Sequence, residues 1–258
     1  MPATPRSEWQ LPCTPQDHPA LIAFWDFQDE GDRRACAGEP YVLSEMAGAV
    51  RRVAAPGAPF GAHAAELVEG QWLRVPRRDG PRLDRHGRDG HLTVLAWILR
   101  RRTATRHCEF IAGQWNESNL GRQYGLFLNI NTWGGVDQIC GHVSKSGGPT
   151  VGYRYCMDGA LGATAVGCDE WHVVGMSYDG QQATAWLDGQ LDRQEGLNPY
   201  PYAGGLHDGG PEGSDFTVGA VHRSGEMGNF FAGLLGGLAV FDEALSPAEI
   251  WALSRPAA

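Results

Sequence analysis

Short apolar runs closed by turn residues recur along this chain, and no other feature limits its fold as strongly. Leu92-Thr-Val-Leu-Ala-Trp-Ile-Leu99, Tyr124–Ile130, His172–Tyr178, Ala183–Leu187, Phe216–Val221 and Gly236–Phe241 are strand-length and rich in branched and aromatic residues. Tyr178-Asp-Gly180 and Leu187-Asp-Gly189 place Asp-Gly, the strongest short hairpin signal, between or after such runs. The expectation is an all-β antiparallel chain. One helix is predicted near the C-terminus: Ser246 caps it, Pro247 fits its first turn, Glu249 completes a capping box, and Ile250, Trp251 and Leu253 give it an apolar side.

A chain of 258 residues suits one large β domain spanning residues 1–258. Its 36 glycines fit many strands joined by tight turns. A net charge of −9 argues against a nucleic-acid partner, whose phosphates call for a basic face. Met1 to Ala23 holds no long apolar run after a basic start, so neither a signal peptide nor a membrane span is expected. The sequence as it stands reads as cytoplasmic. Six cysteines, an even count, leave secretion open, but Cys13, Cys36, Cys108, Cys140, Cys156 and Cys168 show no C-x-x-C spacing and are expected to be free thiols. Cys140 with Cys156 is the one pair placed for a bridge.

That pair lies in Asp137–Asp158, which reads as a hairpin turning at Gly147-Gly148. Symmetric numbering sets Cys140 opposite Cys156 and His142 opposite Arg154, all facing one way because side chains alternate along a strand. Ile139, Val143, Tyr153, Tyr155 and Met157 then form the buried face. Gln138, Cys140, His142, Ser144, Arg154 and Asp158 form a polar ladder that should line something open. Two loops draw notice besides: Arg77–His91, basic and without periodicity, reads as a surface loop, and Glu195–Asp215, with Tyr200, Tyr202 and five glycines, reads as a binding or disordered loop.

The last ninety or so residues resemble a laminin-G-like, concanavalin A-type jelly roll. The resemblance rests on Trp171-His-Val-Val-Gly-Met-Ser-Tyr-Asp-Gly180, Ala185-Trp-Leu-Asp-Gly189, Phe216-Thr-Val-Gly219, Phe231-Ala-Gly-Leu-Leu-Gly-Gly-Leu-Ala-Val-Phe-Asp242 and Ala244-Leu-Ser-Pro-Ala-Glu-Ile250. Upstream, Phe24-Trp-Asp-Phe27 and Gly70–Val75 are similar to earlier strands of that family. The resemblance implies a two-sheet antiparallel β-sandwich with a short C-terminal helix, one sheet being concave and often used for saccharides. It leaves activity open, because the fold carries binders, adhesion modules, hydrolases and lyases alike.

A retaining glucanase of this fold needs two carboxylates flanking one bond, as in Glu-x-Asp-x-x-Glu, and no such run exists; Glu109, Glu117, Asp137, Asp158 and Glu226 are scattered singly. A lyase needs a His or Tyr to take a proton beside a uronate carboxylate and an Arg, Asn or Gln to neutralise it. The ladder offers these types: Gln138 and His142 are faintly similar to the Gln-x-His strand of alginate-lyase-like families, two residues too far apart. A second cluster, Val221–Phe230, carries His222, Arg223, Glu226 and Asn229, more than a chain reversal requires. Trp115, Trp133, Tyr200 and Tyr202 are candidate stacking platforms for sugar rings.

The expected catalytic set is thus His142, Arg154, His222 and Arg223, and the expected sugar-binding set Gln138, Trp115, Tyr200, Tyr202 and Asn229. The expected partner is a saccharide or polysaccharide, with no nucleic acid and no membrane. The leading expectation is a carbohydrate-active protein that grips a polysaccharide at its concave face, leaning to an enzyme, a polysaccharide lyase or a glycoside hydrolase, with a lectin-like binder or a protein-interaction module as the alternatives. The resemblance also implies calcium at a sheet rim, for which Asp26 and Asp215 are the nearest matches by position.

Overall fold

The computed structural model describes residues 14–255 except 32, 104–107, 129, 132 and 135. Cys13 lies outside the described residues. Two antiparallel sheets stack face to face. The larger runs in the order Gln190–Leu191, Gln182–Leu187, Trp171–Tyr178, Leu92–Arg100, Gly233–Phe241, Leu21–Trp25, Ala37–Gly38, with short strands added at its margins. The smaller runs Gly159–Ala165, Gln138–Val143, Tyr124–Leu128, Glu109–Gln114, Phe216–Val218, Trp72–Val75, Ser44–Met46. The all-β sandwich expected from the sequence is what forms.

Alternation explains the layering. Val94, Ala96 and Ile98 of one central strand point inward to meet Leu126, Leu128, Ile139 and Val143 of the opposite sheet. Leu95 and Trp97 point outward, as do Ala239 and Phe241 beside them, and there they meet Ile250 and Leu253 of the helix Pro247–Leu253. A strand covered on both faces has no polar side, which is why Leu92–Leu99 reads as a nearly unbroken apolar run. The helix begins with the predicted capping box: Glu249 N–H donates to Ser246 Oγ at 3.3 Å and Ser246 N–H to Glu249 Oε2 at 2.8 Å. Trp251, expected on its apolar side, is instead partly exposed, with the Arg255 guanidinium 3.7 Å above its ring.

Both Asp-Gly sites turn antiparallel pairs, Ser177 opposite Thr184 and Leu187 opposite Gln190. The run Phe216–Val221 divides. Gly219, at φ +82, turns the chain, so Phe216–Val218 stays in the smaller sheet while Val221–Arg223 forms a separate ribbon with Glu226–Gly228. Arg77–His91 is no loose loop: Leu83 is fully buried, and Arg82 pairs with Glu39 at 3.1 Å and Asp242 at 2.7 Å. Glu195–Asp215 is likewise ordered. Asn198 lies buried in it and imitates a neighbouring strand, accepting from Ala185 N–H at 3.0 Å and donating to Ala185 O at 2.9 Å.

The Gly147-centred hairpin does not form. Gln138–Val143 pairs with Gly159–Ala165, so Cys140 stands opposite Leu161 and His142 opposite Gly159, not opposite Cys156 and Arg154. Pro149 cannot donate to a ladder, and the residues after it satisfy each other locally: Tyr153 N–H donates to Thr150 O at 2.9 Å, Thr150 N–H to Tyr155 O at 3.2 Å. Tyr153 and Tyr155, expected in the core, are each 48% exposed. The first strand keeps its predicted alternation, with Ile139 and Val143 in the core between the sheets and Cys140 on the outer face. That face is not the open ladder expected: Cys140, His142 and Ser144 are each 2% exposed, covered by the chain packed over them.

One ion cluster anchors the smaller sheet. Arg100, buried at the end of a central strand, grips the buried Glu109 with contacts down to 2.7 Å and reaches Asp137 at 2.7 Å and Val166 O at 3.1 Å. Removing one partner of such a pair leaves a charge in a poor solvent, so Glu109→Ala is expected to destabilise the fold by roughly 3–5 kcal/mol. Urea unfolding measures it; a loss near zero would contradict a buried pair.

Candidate functional site

The outer face of the smaller sheet has a gap in its side chains. His142 is flanked in register by Gly125 on one strand and Gly159 on the other, and Gly113 follows Gly125 on the next. The imidazole is therefore the one side chain longer than hydrogen in a four-residue row across the sheet. A Cβ on Gly159 would stand 3.0 Å from His142 Nδ1, and one on Gly125 would press on the Phe127 and Phe110 rings at 2.8 and 3.0 Å. Gly159 thus leaves room for the imidazole, and Gly125 for the two phenylalanine rings.

Loops close over this row. His142 Nδ1 lies 2.9 Å from Asp158 O; a carbonyl only accepts, so Nδ1 carries the proton and donates, and Nε2 holds a lone pair. Asp158 also holds the loop itself. Its O accepts from Val143 N–H at 3.1 Å, and its carboxylate accepts from Thr150 Oγ1 at 2.8 Å and Tyr200 OH at 3.0 Å. The ring sits against Trp115 and Phe127, both centroids 5.3 Å away. Burial pushes the His142 pKa down from 6.5 to about 4, against the opposing pull of the Asp158 carbonyl.

What remains open is a cleft of about 300 Å³. Its polar lining comes from Glu117, Asn131, His142, Arg223 and Asn229, and its aromatic walls are Trp115, Phe127 and Tyr155. Trp115 ends the strand Glu109–Gln114, and its Nε1 donates to Glu117 Oε1 at 3.4 Å. Glu117 N–H donates to His222 O at 2.8 Å, which ties the 116–118 turn to the Val221–Gly228 ribbon. Arg223 projects from that ribbon and donates to Asn229 Oδ1 at 2.6 Å; Asn229 sits at φ +54, a backbone region that Asn tolerates better than most residues. Cys108 also lines the cleft. Burial raises its thiol pKa, with Arg223 pulling it down and Glu117 pushing it up.

Four predicted site residues thus come together: His142, Trp115, Arg223 and Asn229. The others do not. Arg154, expected beside His142, is exposed in the irregular loop with its guanidinium 5.2 Å from the Tyr155 ring. His222 is a structural tie, its Nδ1 3.1 Å from Ser118 Oγ. Gln138, at the far end of the strand, folds back to accept from Val136 N–H. Tyr200 and Tyr202 stack on each other at 6.3 Å behind Asp158, and Tyr202 is buried with its hydroxyl accepting from Lys145 N–H at 2.8 Å. Trp115 is a buried wall, 2% exposed, where an open platform was expected.

From the sequence Glu117 reads as a lone acid and Tyr155 as a core residue, whereas both line the cleft. Glu117 had one usable signal, its position two residues after Trp115. The calcium expectation does not fit: Asp26 caps its own turn by accepting from Gln28 N–H, while Asp215 accepts from Arg77 N–H at 2.8 Å and pairs with Arg74 at 3.3 Å. Among the described residues no group of three or more His, Cys, Asp or Glu is arranged to hold a metal. Cys140 and Cys156 are both free and buried in the apolar cluster of this face, which raises both thiols, Cys156 to about 11.

A buried neutral histidine carries a pH signature. The unfolded chain takes up a proton as pH falls below 6.5, whereas the native imidazole resists it until about 4. His142 therefore favours folding above 6.5 and loses that contribution as pH falls toward 4, by on the order of 3 kcal/mol in total. Denaturant unfolding at a series of pH values should show a shallower fall between 6.5 and 4 for His142→Gln than for the wild type. Parallel curves would show that the imidazole is not buried.

Domain 4 of the extracellular arabinanase AbnA from Geobacillus stearothermophilus, solved with arabinotriose, superposes with a TM-score of 0.60 at 15% identity, over 91% of this chain and 98% of that one. Trypanosoma rangeli sialidase in complex with the inhibitor DANA gives 0.59 at 13%, over 98% of this chain and 35% of that one. The receptor binding domain of botulinum neurotoxin type G gives 0.53 at 9%, over 91% and 50%. At such identities these likenesses speak for the fold alone. No curated protein matches the chain. The sequence model of the concanavalin A-like lectin/glucanases superfamily matches residues 79–251, two thirds of the chain, and with the jelly-roll sandwich described above the chain belongs to that superfamily.

Proposed function

We propose that the cleft over His142 binds a saccharide. One observation carries this reading: hydrogen-bond groups of three kinds converge on one small space with aromatic walls. Glu117 accepts, Arg223 donates, and a neutral imidazole presents a lone pair on Nε2. Sugar hydroxyls both donate and accept, while the C–H faces of the ring suit the exposed Tyr155. At about 300 Å³ the cleft is at the small end of ligand sites, which run to roughly 1,000 Å³. The arabinanase domain, of nearly the same extent as this chain, was solved in complex with arabinotriose, and a saccharide ligand here accords with that likeness of fold.

Binding without turnover is the version favoured by the chemistry. Hydrolysis by paired acids needs a second carboxylate across the bond. Glu117 is the one acid lining the cleft among the described residues, and Asp158 is engaged by Thr150 and Tyr200. The lyase alternative has its parts in one place, with His142 Nε2 to take the proton beside a uronate carboxylate, Arg223 to neutralise that carboxylate and Tyr155 to protonate the leaving oxygen. Its weakness is the base. An imidazole whose pKa is about 4 is deprotonated at neutral pH but a poor proton acceptor, whereas an effective base is tuned near the working pH.

Titration calorimetry should find a ligand among the mono- and trisaccharides of glucose, galactose, xylose, arabinose, uronic acids and sialic acid. Glu117→Gln and Arg223→Met should each weaken it at least tenfold, the range for losing a hydrogen bond to a charged group. Absence of binding across that panel would refute the proposal. Rising ultraviolet absorbance from an unsaturated uronate product would convert the binder into a lyase.

A further inference from the structure

The cleft does not end in a polar rim. Two loops carry large apolar residues into solvent at its mouth: Trp133 is 47% and Val136 44% exposed on one, Val151 96%, Tyr153 48% and Tyr155 48% on the other. The loops meet, with the Trp133 and Tyr153 rings edge to face at 6.0 Å. They are also continuous with the site, because Ile130, Asn131 and Tyr155 line the cleft. Trp133 holds its position at φ +51, a left-handed backbone that a bulky residue seldom adopts.

Exposed aromatic rings at the edge of a site need an occupant, and their type selects among the possibilities. Both rings carry a polar tip as well as an apolar face, matching a ligand that is itself apolar on its ring faces and polar at its edges. We infer that the ligand is an oligosaccharide, with one sugar unit in the cleft and the adjoining units stacked on Trp133 and Tyr153. This rests on the saccharide reading of the cleft and extends it to ligand length. A monosaccharide would leave the outer rings untouched.

The test compares chain lengths. Calorimetry with the monosaccharide and trisaccharide of each sugar in the panel should give the wild type about tenfold tighter binding of the trisaccharide, as expected for two stacking contacts. Trp133→Ala with Tyr153→Ala should remove that advantage and leave the monosaccharide affinity unchanged, and the double Phe variant should restore it. Circular dichroism and melting temperature check that the double Ala variant is folded. Equal binding of both lengths by the wild type, retention of the advantage by the folded Ala variant, or equal weakening of both lengths would overturn the inference while leaving a saccharide in the cleft. A wild type that binds no member of the panel would overturn the cleft reading and this one together. Loss of self-association on sedimentation, with the trisaccharide advantage intact, would assign the patch to a second copy of the chain instead.

Discussion

A two-sheet sandwich buries the inner face of each sheet automatically and leaves each outer face to be covered by something else. Here both outer faces carry large apolar side chains that cannot be left to water. The larger sheet is covered by the capped helix, whose Ile250 and Leu253 lie over Leu95, Trp97 and Phe241. Among the described residues no α-helix covers the smaller sheet. Its outer Phe110, Trp115, Phe127 and Leu161 are covered by loops, with Val221 and Cys156 reaching down from above. Loops cover less completely than a helix, and the place they leave open, above the glycines beside His142, is the candidate site.

The cover hangs on few contacts, and Asp158 makes several of them. Its carbonyl fixes the tautomer of His142 and its carboxylate holds Thr150 and Tyr200, so the wall bearing Tyr155 and the acceptor on the floor are set by one residue. That residue lines nothing itself. On the other side Asn229, which does line the cleft, holds the Arg223 guanidinium at 2.6 Å. In both cases a group that faces the cleft is fixed by a hydrogen bond to a neighbour.

Much of the fold was legible in the sequence because the signals were local. Asp-Gly turns, the Ser246 capping box and alternation in Gln138–Val143 each depend on residues close in the chain, and each formed as read. The failures share another cause. The partner of Gln138–Val143 was assigned by symmetry about Gly147-Gly148, but register is decided by which strand can complete the ladder, and Gly159–Ala165 does so where the Pro149-containing segment cannot. That one error displaced Arg154 from the site and put Tyr155 in the core. Within the site, His142, Trp115, Arg223 and Asn229 were legible as individual residues, from type and loop or strand context. Their company with Glu117 was not, since it depends on a contact between turn 116–118 and a ribbon a hundred residues later.

The saccharide reading of the cleft depends on a His142 that is neutral, protonated on Nδ1 and free to accept at Nε2. Heteronuclear NMR of the histidine ring nitrogens reads this directly. At neutral pH the spectrum should show one buried histidine with an unprotonated Nε2, assignable by its loss in His142→Gln, and a shift of that nitrogen when the saccharide with the highest affinity is added to saturation. A His142 that is doubly protonated at neutral pH, or protonated on Nε2, or unmoved by a saturating saccharide, would contradict it.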